Sequence, residues 1–346
     1  MTRKLHEPWP ERQPRRKFAQ RSLPWLIAAA LLAGCAAPPA VPQKPIDLEA
    51  HRGGRALEPE NTLSAFSKAV DIGVTTLELD VGLSADDVVV ISHDMALNPD
   101  HTRDADGAFL KATGPAIRSL TLAKLQSYDV GLIDPASGYG KPFPKQLTRD
   151  GERIPTLAAL FERMQALGAT QVRFNIETKV DPTRPQLTAP PERMVRALLT
   201  EIDHAGMAQR VTIQSFDWRT LALVGELAPQ MPRAYLTSAD TLQDSRWTLG
   251  LRIQDAGSAP RLVKAAVGGA AAGPVIWSPA YAELTPELVK EAHGLGFSVL
   301  PWTVNRRADM TRLMDWGVDG IITDDPAVLR DLMAERGVPL PPKAKN

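Results

Sequence analysis

The chain from residue 46 onward alternates short apolar runs with longer amphipathic stretches. An apolar run bounded by turn residues is typical of a buried strand, whereas apolar positions three and four residues apart indicate a helix with one buried face. The predicted strands are 46–50, 76–81, 88–92, 172–178, 211–215, 233–237, 275–277, 297–303 and 320–323. The predicted helices include 62–72, 157–167, 191–205, 218–227, 286–295 and 306–316.

This alternation predicts an α/β fold in which helices cover a parallel sheet. So many units in one chain favour a closed (β/α)8 barrel of the TIM type over an open doubly wound sheet. Nine candidate strands are one too many for that barrel, and segment 82–87 is too short to hold a crossover helix. One strand is therefore expected either outside the barrel or joined by an extended connection.

A polar, turn-rich stretch over 95–155 separates the third predicted strand from the next predicted helix. Long connections of this kind usually serve a site, so the stretch is expected to be an insertion or lid after the third strand. It is counted within one barrel domain over 46–335, and residues 336–346 are left as a tail.

The first 34 residues have the parts of a bacterial lipoprotein signal peptide, a basic segment followed by an apolar run over 23–33. That run is too short to span about 30 Å of hydrocarbon as a lasting anchor. Leu32-Ala33-Gly34-Cys35 resembles a lipobox, in which the cysteine is lipidated, and Cys35 is the only cysteine of the chain. The alternative is a buried cysteine that follows an ordinary signal peptide.

The lipobox resemblance implies an exported protein, held at the bacterial cell envelope on its periplasmic face or at the cell surface. A lipid on Cys35 would be its contact with the membrane. The proline-rich segment 35–45 would then be an extended tether between the membrane and the folded domain.

The distribution of charge excludes one class of partner. The chain holds 40 basic and 40 acidic side chains, of which seven and two lie in residues 1–34. The remainder has 33 basic and 38 acidic residues, a net charge of −5. A nucleic-acid-binding protein needs a basic footprint, so no nucleic-acid partner is expected. The single cysteine also excludes a disulfide scaffold and any multi-cysteine metal site.

Polar residues suited to catalysis follow the predicted strands, at the end of a barrel where enzymes place their sites. His51 and Arg52 come after the first strand, and His93 comes after the third. Glu78 and Asp80 are two residues apart, so they must share one face of the second strand.

The same two-residue spacing recurs in Glu177 and Lys179 at the end of the fourth predicted strand. Glu78, Asp80 and Glu177 offer only oxygen ligands, which suit a hard divalent cation, Ca²⁺ or Mg²⁺. Arg52 and Lys179 carry the charges that bind phosphate oxygens.

Two histidines complete this set, since one imidazole can accept a proton while the other donates one. His51 and His93, a divalent cation and two basic side chains together indicate a site for phosphoryl transfer.

Eight short motifs along the chain resemble, in order, those of the glycerophosphodiester phosphodiesterases. They are His51-Arg52-Gly53, Pro59-Glu60-Asn61-Thr62, Glu78-Leu79-Asp80-Val81, Ser92-His93-Asp94, Ile176-Glu177-Thr178-Lys179, Gln214-Ser215-Phe216-Asp217, Trp302-Thr303-Val304-Asn305 and Asp319-Gly320-Ile321-Ile322-Thr323-Asp324. The resemblance runs from about residue 49 to residue 332, nearly all of the chain after the tether.

The resemblance implies a role for each residue of the site. It implies a catalytic pair, His51 and His93; metal ligands, Glu78, Asp80 and Glu177; phosphate contacts, Arg52 and Lys179; and a wall against the glycerol, Trp302. Gln214 and Phe216 are expected to line the site. Glu60 and Asn61 either belong to it or cap the helix that begins near Thr62. The residues expected to be structural are Asp94, Asn305, Asp319 and Asp324. His101, His204 and His293 match none of these motifs.

The resemblance also implies an activity, the hydrolysis of glycerophosphodiesters to sn-glycerol 3-phosphate and an alcohol by metal-assisted acid–base catalysis. One alternative is a phosphodiesterase of membrane lipids, of the phospholipase C or lysophospholipase D type, on the same barrel. A second is a non-catalytic receptor for phosphate ligands. Intact His51 and His93 disfavour the receptor, because binding alone does not require an acid–base pair.

Overall fold

The computed structural model describes residues 44–269 and 272–343. The predicted signal peptide, Cys35 and the tether up to residue 43 lie outside these residues. The strands are β1 (Asp47–Ala50), β2 (Thr76–Leu83), β3 (Val89–Ile91), β4 (Arg173–Thr178), β5 (Val211–Ser215), β6 (Arg233–Thr237), β7 (Val275–Pro279), β8 (Ser298–Val299) and β9 (Gly320–Thr323). The helices are α1 (Leu63–Ile72), α2 (Leu122–Leu125), α3 (Leu157–Ala166), α4 (Pro191–His204), α5 (Trp218–Leu227), α6 (Ala239–Gln243), α7 (Ile253–Ala256), α8 (Ala259–Val267), α9 (Pro286–Gly294), α10 (Arg307–Asp315) and α11 (Pro326–Glu335).

Eight parallel strands form a nearly closed barrel, in the order β8-β7-β6-β5-β4-β2-β1-β9. Between β8 and β9, the amide of Asp319 donates to the carbonyl of Val299 at 2.9 Å, and the amide of Ile322 donates to that of Pro301 at 3.1 Å. These two bonds join the ends of the sheet. The predicted (β/α)8 barrel is confirmed.

Strand β3 is the one that lies outside the barrel. This is one of the two arrangements that the sequence left open. It pairs antiparallel with β2, with Val81 opposite Ile91 and Leu83 opposite Val89. The short connection is therefore a hairpin, which needs no crossover helix. Because β3 runs back along β2, the amide of Ser92 donates to the carbonyl of Asp80 at 2.9 Å. The hairpin returns the chain to the level of the acidic residues on β2.

Helix α1 illustrates how the outer layer forms. The Thr62 side chain accepts from the backbone N–H of Ala65 and so caps the helix, and Gly73 ends it with a left-handed φ of 87°. The buried face is formed by Ala65, Phe66, Ala69 and Val70. Full burial of a side chain such as Phe66 contributes about 1.5–3 kcal/mol, and replacing it with alanine would cost about 3–5 kcal/mol.

The insertion that was expected over 95–155 follows β3, and among its elements is the single turn of helix α2. A small second apolar core joins the insertion to Val90 of β3, and its other members are Leu97, Ile117, Leu125, Val130 and Ile154. This core fixes the long connection beside the carboxyl end of the barrel.

Over 44–269 and 272–343, no helix combines the length and apolarity needed to cross a membrane.

Candidate active site

The turn after β1 carries the first residues of the site. Arg52 has a left-handed backbone with φ of 53°, and its N–H donates to Glu78 Oε2 at 2.8 Å. Gly53 follows with φ of 82°, and a Cβ at this position would lie 2.8 Å from the Ala65 Cβ. Glycine is required there because helix α1 packs directly against the turn.

Three carboxylates converge beside this turn. Glu78 and Asp80 lie on β2, Glu177 lies on β4, and the register of the two strands sets Asp80 opposite Glu177. Each residue offers an oxygen, and these oxygens lie within 4.8 Å of one another. All three residues are buried, with 2%, 1% and 7% exposure for Glu78, Asp80 and Glu177. Glu78 and Asp80 thus share one face of β2, as their two-residue spacing predicts.

The carboxylates cannot all keep their charge without compensation. Burial raises the pKa of Glu177 to about 7, with the Asp80 charge adding to the rise and Lys179 opposing it. Burial and the Asp80 charge also raise the pKa of Glu78 well above its usual value. Burial acts on Asp80 in the same direction, but the charges of His93, Lys179 and Arg52 bring its pKa below normal. The cluster therefore favours protons or a cation.

Two permanent cations lie beside the carboxylates. Lys179 Nζ donates to Glu177 Oε1 at 2.8 Å and lies 3.7 Å from Asp80 Oδ1. The Arg52 Nε lies 3.5 Å from Asp80 Oδ2. The positions predicted to bind phosphate and metal thus form one continuous charged cluster.

His51 is supported by the carboxylate of Asp324, which directly follows β9. Its Nδ1 lies 2.6 Å from Asp324 Oδ1, and Asp324 also accepts from Arg55 Nε at 2.8 Å and from Asn305 Nδ2 at 2.6 Å. Burial lowers the pKa of His51, although the Asp324 charge opposes this. The His51 and Arg55 charges outweigh burial and keep the pKa of Asp324 below normal. An ionised Asp324 accepts the Nδ1 proton, which leaves Nε2 of His51 with its lone pair.

His93 has a similar support in the next residue. Its Nδ1 lies 2.9 Å from Asp94 Oδ1, while Asp94 Oδ2 lies 3.2 Å from His101 Nε2 and accepts from Asn98 Nδ2 at 2.7 Å. Burial lowers the pKa of His93 to about 4, and Arg52 and Lys179 add to this shift. Burial therefore lowers the pKa of both histidines of the predicted catalytic pair.

His101 belongs to the site because it bonds the second carboxylate oxygen of Asp94. Burial alone would lower the pKa of His101, but its hydrogen bond to Asp94 and the charge of Glu60 outweigh burial and raise it. The other two histidines of residues 44–343 lie elsewhere: His204 is at the end of α4, and His293 on α9 bonds Asp319 at 2.8 Å.

Glu60 and Asn61 face the site, and the helix cap is Thr62. The Arg52 Nη1 donates to Glu60 Oε1 at 2.8 Å, and Asn61 Nδ2 donates to Asp80 Oδ2 at 3.0 Å. Burial of Glu60 is outweighed by the charges of Arg52 and His101, which bring its pKa to about 2. Glu60 is therefore an anion that orients Arg52.

Aromatic residues stand at the same end of the barrel. Phe216 follows β5 and Trp302 follows β8, and their half-buried rings meet edge to face with centroids 5.3 Å apart. The ring of Trp247 also meets that of Phe216 edge to face, with centroids 6.4 Å apart. Trp247 belongs to no motif found in the sequence.

Gln214, which was expected to line the site, lies buried against Glu78. It is 1% exposed, and its Nε2 donates to Glu78 Oε1 at 2.7 Å while its Oε1 accepts from Asn175 at 3.1 Å. Both ends of the amide are thus bonded within the protein. Gln214 can act on the site through Glu78.

Tyr139 is a residue that the sequence did not indicate. It lies in the insertion, and its hydroxyl accepts from Arg52 Nη1 at 2.8 Å and Arg55 Nη1 at 3.0 Å and donates to Glu60 Oε2 at 2.6 Å. Asp324 was expected to be structural, yet it supports His51. Barrel closure could have indicated this contact, because β9 lies beside β1. The insertion has no periodic pattern that could have indicated Tyr139.

Comparisons with known proteins identify the family of the chain. The model of the glycerophosphoryl diester phosphodiesterase family matches residues 51–328. A glycerophosphodiester phosphodiesterase of Caldanaerobacter subterraneus subsp. tengcongensis is 31% identical over 289 residues, which cover 83% of this chain and 98% of that protein.

Solved structures show the same fold. A protein from Silicibacter pomeroyi DSS-3, assigned as a glycerophosphoryl diester phosphodiesterase, superposes with a TM-score of 0.75 at 33% identity, covering 85% of this chain and 95% of the other. A phosphodiesterase from Oleispira antarctica, solved with the product sn-glycerol-3-phosphate, has a TM-score of 0.57 at 24% identity, covering 85% and 97%. This chain belongs to the glycerophosphoryl diester phosphodiesterase family and is a phosphodiesterase.

Proposed function

We propose that this chain hydrolyses glycerophosphodiesters to sn-glycerol 3-phosphate and an alcohol, with His51 and His93 as its acid–base pair. The observation that carries the proposal is the convergence of three buried carboxylates within 4.8 Å beside Lys179 and Arg52. A divalent cation held by these carboxylates would, together with Lys179 and Arg52, stabilise the negative charge of a phosphoryl transition state. The product held by the Oleispira antarctica phosphodiesterase is consistent with this substrate class.

Glu78, Asp80 and Glu177 are the residues that would hold a divalent cation, Ca²⁺ or Mg²⁺. They fit such an ion because all their donor atoms are oxygens, and because burial raises the pKa of both Glu78 and Glu177. When bound, the ion would neutralise the carboxylates and polarise the phosphoryl group.

His51 and His93 move the protons. In the first step, the free nitrogen of one ring takes the proton of the glycerol 2-hydroxyl, whose oxygen attacks the phosphorus, while the other ring, protonated, gives its proton to the departing alcohol. In the second step, water opens the resulting cyclic phosphate and the two rings exchange roles. Asp324 and Asp94 hold the rings by their Nδ1 atoms at 2.6 and 2.9 Å, which keeps Nε2 of each ring available.

Lys179 and Arg52 would bind the phosphate oxygens that gain negative charge. Burial opposes the charge on Lys179, but the charges of Glu177 and Asp80 raise its pKa above normal, so it stays protonated throughout. The edge-to-face pair of Phe216 and Trp302 would exclude water from the side of the glycerol.

The same proposal includes the place of the enzyme in the cell. Cys35 would carry a lipid that holds the barrel at the cell envelope, because the only cysteine follows directly after an apolar run and Leu32-Ala33-Gly34.

The test is incubation of the purified chain with glycerophosphocholine and, separately, with lysophosphatidylcholine, with products followed by phosphorus NMR. The expected result is sn-glycerol 3-phosphate from glycerophosphocholine, loss of turnover with EDTA and recovery with Ca²⁺ or Mg²⁺. Turnover of lysophosphatidylcholine alone would instead support the membrane-lipid alternative. Undiminished turnover after exhaustive chelation would refute the metal role of Glu78, Asp80 and Glu177.

A further inference from the structure

A line of four buried polar side chains runs through the barrel interior and ends at the carboxylate cluster. Asn175 Nδ2 on β4 donates to Glu49 Oε2 on β1 at 2.9 Å and to Gln214 Oε1 on β5 at 3.1 Å. Gln214 Nε2 in turn donates to Glu78 Oε1 at 2.7 Å. None of the four residues is more than 2% exposed.

The line has a direction because an amide has one donating end and one accepting end. The two N–H groups of Asn175 are both used, one by Glu49 and one by Gln214. Gln214 must then present its oxygen to Asn175 and its N–H to Glu78. The second oxygen of Glu78 accepts the Arg52 backbone N–H at 2.8 Å, so donors hold both oxygens of this carboxylate.

We propose that Glu49 is a positioning residue: it fixes the orientation of the Asn175 and Gln214 amides and thereby holds Glu78 in place as a ligand for the divalent cation. This inference rests on the proposed function. Glu49 touches neither substrate nor metal, and its effect passes through two amides.

Glu49 can accept from the Asn175 amide whether or not its carboxyl is ionised. Burial, together with the charge of Asp47, raises its pKa well above the usual value. A neutral carboxyl still accepts through its carbonyl oxygen, as Asn175 requires. Its surroundings include a cavity of about 360 Å³ at the amino-terminal mouth of the barrel, whose lining includes Thr76, Arg173 and Leu300. Glu49 therefore acts from the end of the barrel opposite to the site.

Without the acceptor at Glu49, the side-chain amide of Asn175 could flip, so that its oxygen and its NH2 group exchange places. Gln214 could then turn as well, and its oxygen would face the Glu78 carboxylate, where two acceptors repel. Residues that orient metal ligands in this way typically contribute on the order of 10–100-fold to metal affinity. A loss of that size is expected for a side chain of the same length with no acceptor.

The experiment measures the affinity of the chelator-stripped full chain, in detergent, for Mg²⁺ and for Ca²⁺ by titration calorimetry. Glu49→Met should bind the ion on the order of 10–100-fold more weakly than wild type. Glu49→Gln keeps an accepting oxygen and should stay within about threefold, which rescues the function without a carboxyl group. Leu300→Met, on another wall of the same cavity, is the matched control and should bind as wild type does.

Thermal unfolding of each metal-free variant shows whether the barrel is intact. If Glu49→Met does not fold, Glu49→Asp takes its place. Its shorter side chain withdraws the carboxyl from Asn175, so this variant should also bind the ion more weakly than wild type. Wild-type affinity in a folded Met or Asp variant would overturn the inference, as would equal losses in the Met and Gln variants. A wild-type chain that binds neither ion would instead overturn the proposed metal site, and the inference with it.

Discussion

At the scale of single residues, each histidine of the proposed pair has its own carboxylate support. Asp324, directly after the neighbouring strand β9, fixes His51, and Asp94 fixes His93 from the adjacent position in the chain. A ring held by Nδ1 has one free nitrogen in a set direction. This arrangement suits proton transfer along a fixed path.

Removal of either ring should therefore lower kcat far more than it changes KM. A loss of about 10²–10⁴-fold is expected for His51→Ala or His93→Ala with glycerophosphocholine, measured by steady-state kinetics. The double variant should be little worse than either single one, because the pair acts as a unit. His204→Ala, at the exposed end of α4, is the control. Near-normal kcat in either site variant would contradict the assignment.

Glu60 should make stability depend on pH in a defined window. Its folded-state pKa of about 2 lies below the ordinary 4.5, so the folded state binds fewer protons than the unfolded state between these values. The contribution of Glu60 to the free energy of unfolding is therefore complete above about pH 4.5. It falls by up to about 3 kcal/mol as the pH drops towards 2.

Urea unfolding at a series of pH values, with chelator present, measures this dependence. Glu60→Gln should be less stable at neutral pH, because Arg52 and Arg55 lose an anion, and its curve should be flatter between pH 4.5 and 2. The exposed Glu192→Gln should follow the wild-type curve. Parallel curves for wild type and Glu60→Gln would show that Glu60 does not titrate in this way.

Local spacing made part of the site predictable from the sequence. Glu78 and Asp80 could be placed together because residues two apart on a strand share a face, and that rule needs no knowledge of the rest of the fold. Asp324 is 273 residues from His51, and Tyr139 is 87 residues from Arg52. Such contacts depend on which strands become neighbours and on how an aperiodic insertion folds, and neither is encoded in local spacing.

At the scale of elements, the hairpin of β2 and β3 and the insertion after it bring the site together. The sequence indicated that one strand did not fit the barrel because its connection was too short for a helix. It did not indicate that the strand returns antiparallel, which moves His93 back beside Asp80. The direction of a short apolar strand depends on its partner, and the apolar pattern is the same in both directions.

The insertion acts on the site through Tyr139. Tyr139→Phe removes the hydroxyl that accepts from two arginines and donates to Glu60, so Arg52 should be less well oriented for phosphate. The expected loss in kcat/KM is about 5–30-fold, equivalent to about 1–2 kcal/mol.

Kinetics with glycerophosphocholine tests this expectation, and circular dichroism checks the fold. Tyr128→Phe is a matched control, because Tyr128 lies in the same insertion with its ring under Lys124, away from the arginines of the site. If both variants retained wild-type kcat/KM, the insertion would have no part in orienting Arg52 through this hydroxyl.

At the scale of the whole molecule, the proposal assigns separate tasks to the barrel and to the segment before it. The enzyme fold needs residues from β1 to α11, whereas the proposed envelope location depends on Cys35 and the apolar run that precedes it. Activity and location should therefore respond to different substitutions.

Cys35→Ala should release active enzyme from the membrane fraction or leave it unprocessed, because the variant lacks the residue that would carry the lipid. Fractionation followed by an assay of each fraction measures this. The same fractionation of His51→Ala provides the reverse case, in which the protein stays with the membrane and activity is lost. A Cys35→Ala protein that was still processed and membrane-bound would contradict the lipoprotein proposal.

We expect this barrel to open most easily at the seam between β8 and β9, where the two ends of the sheet meet. β8 is only two residues long, Ser298–Val299, and the bonds given by Asp319 and Ile322 close the ring. By contrast, β4 is paired with β2 over six residues and with β5 over four. In deuterated water, the amides at the seam should exchange through local opening at a lower free energy than those of β4, which should exchange only with global unfolding. Uniform protection around the ring would mean that the barrel opens as one cooperative unit. If the seam does exchange first, it is where a protease or a denaturant would first reach the Asp324 support of His51.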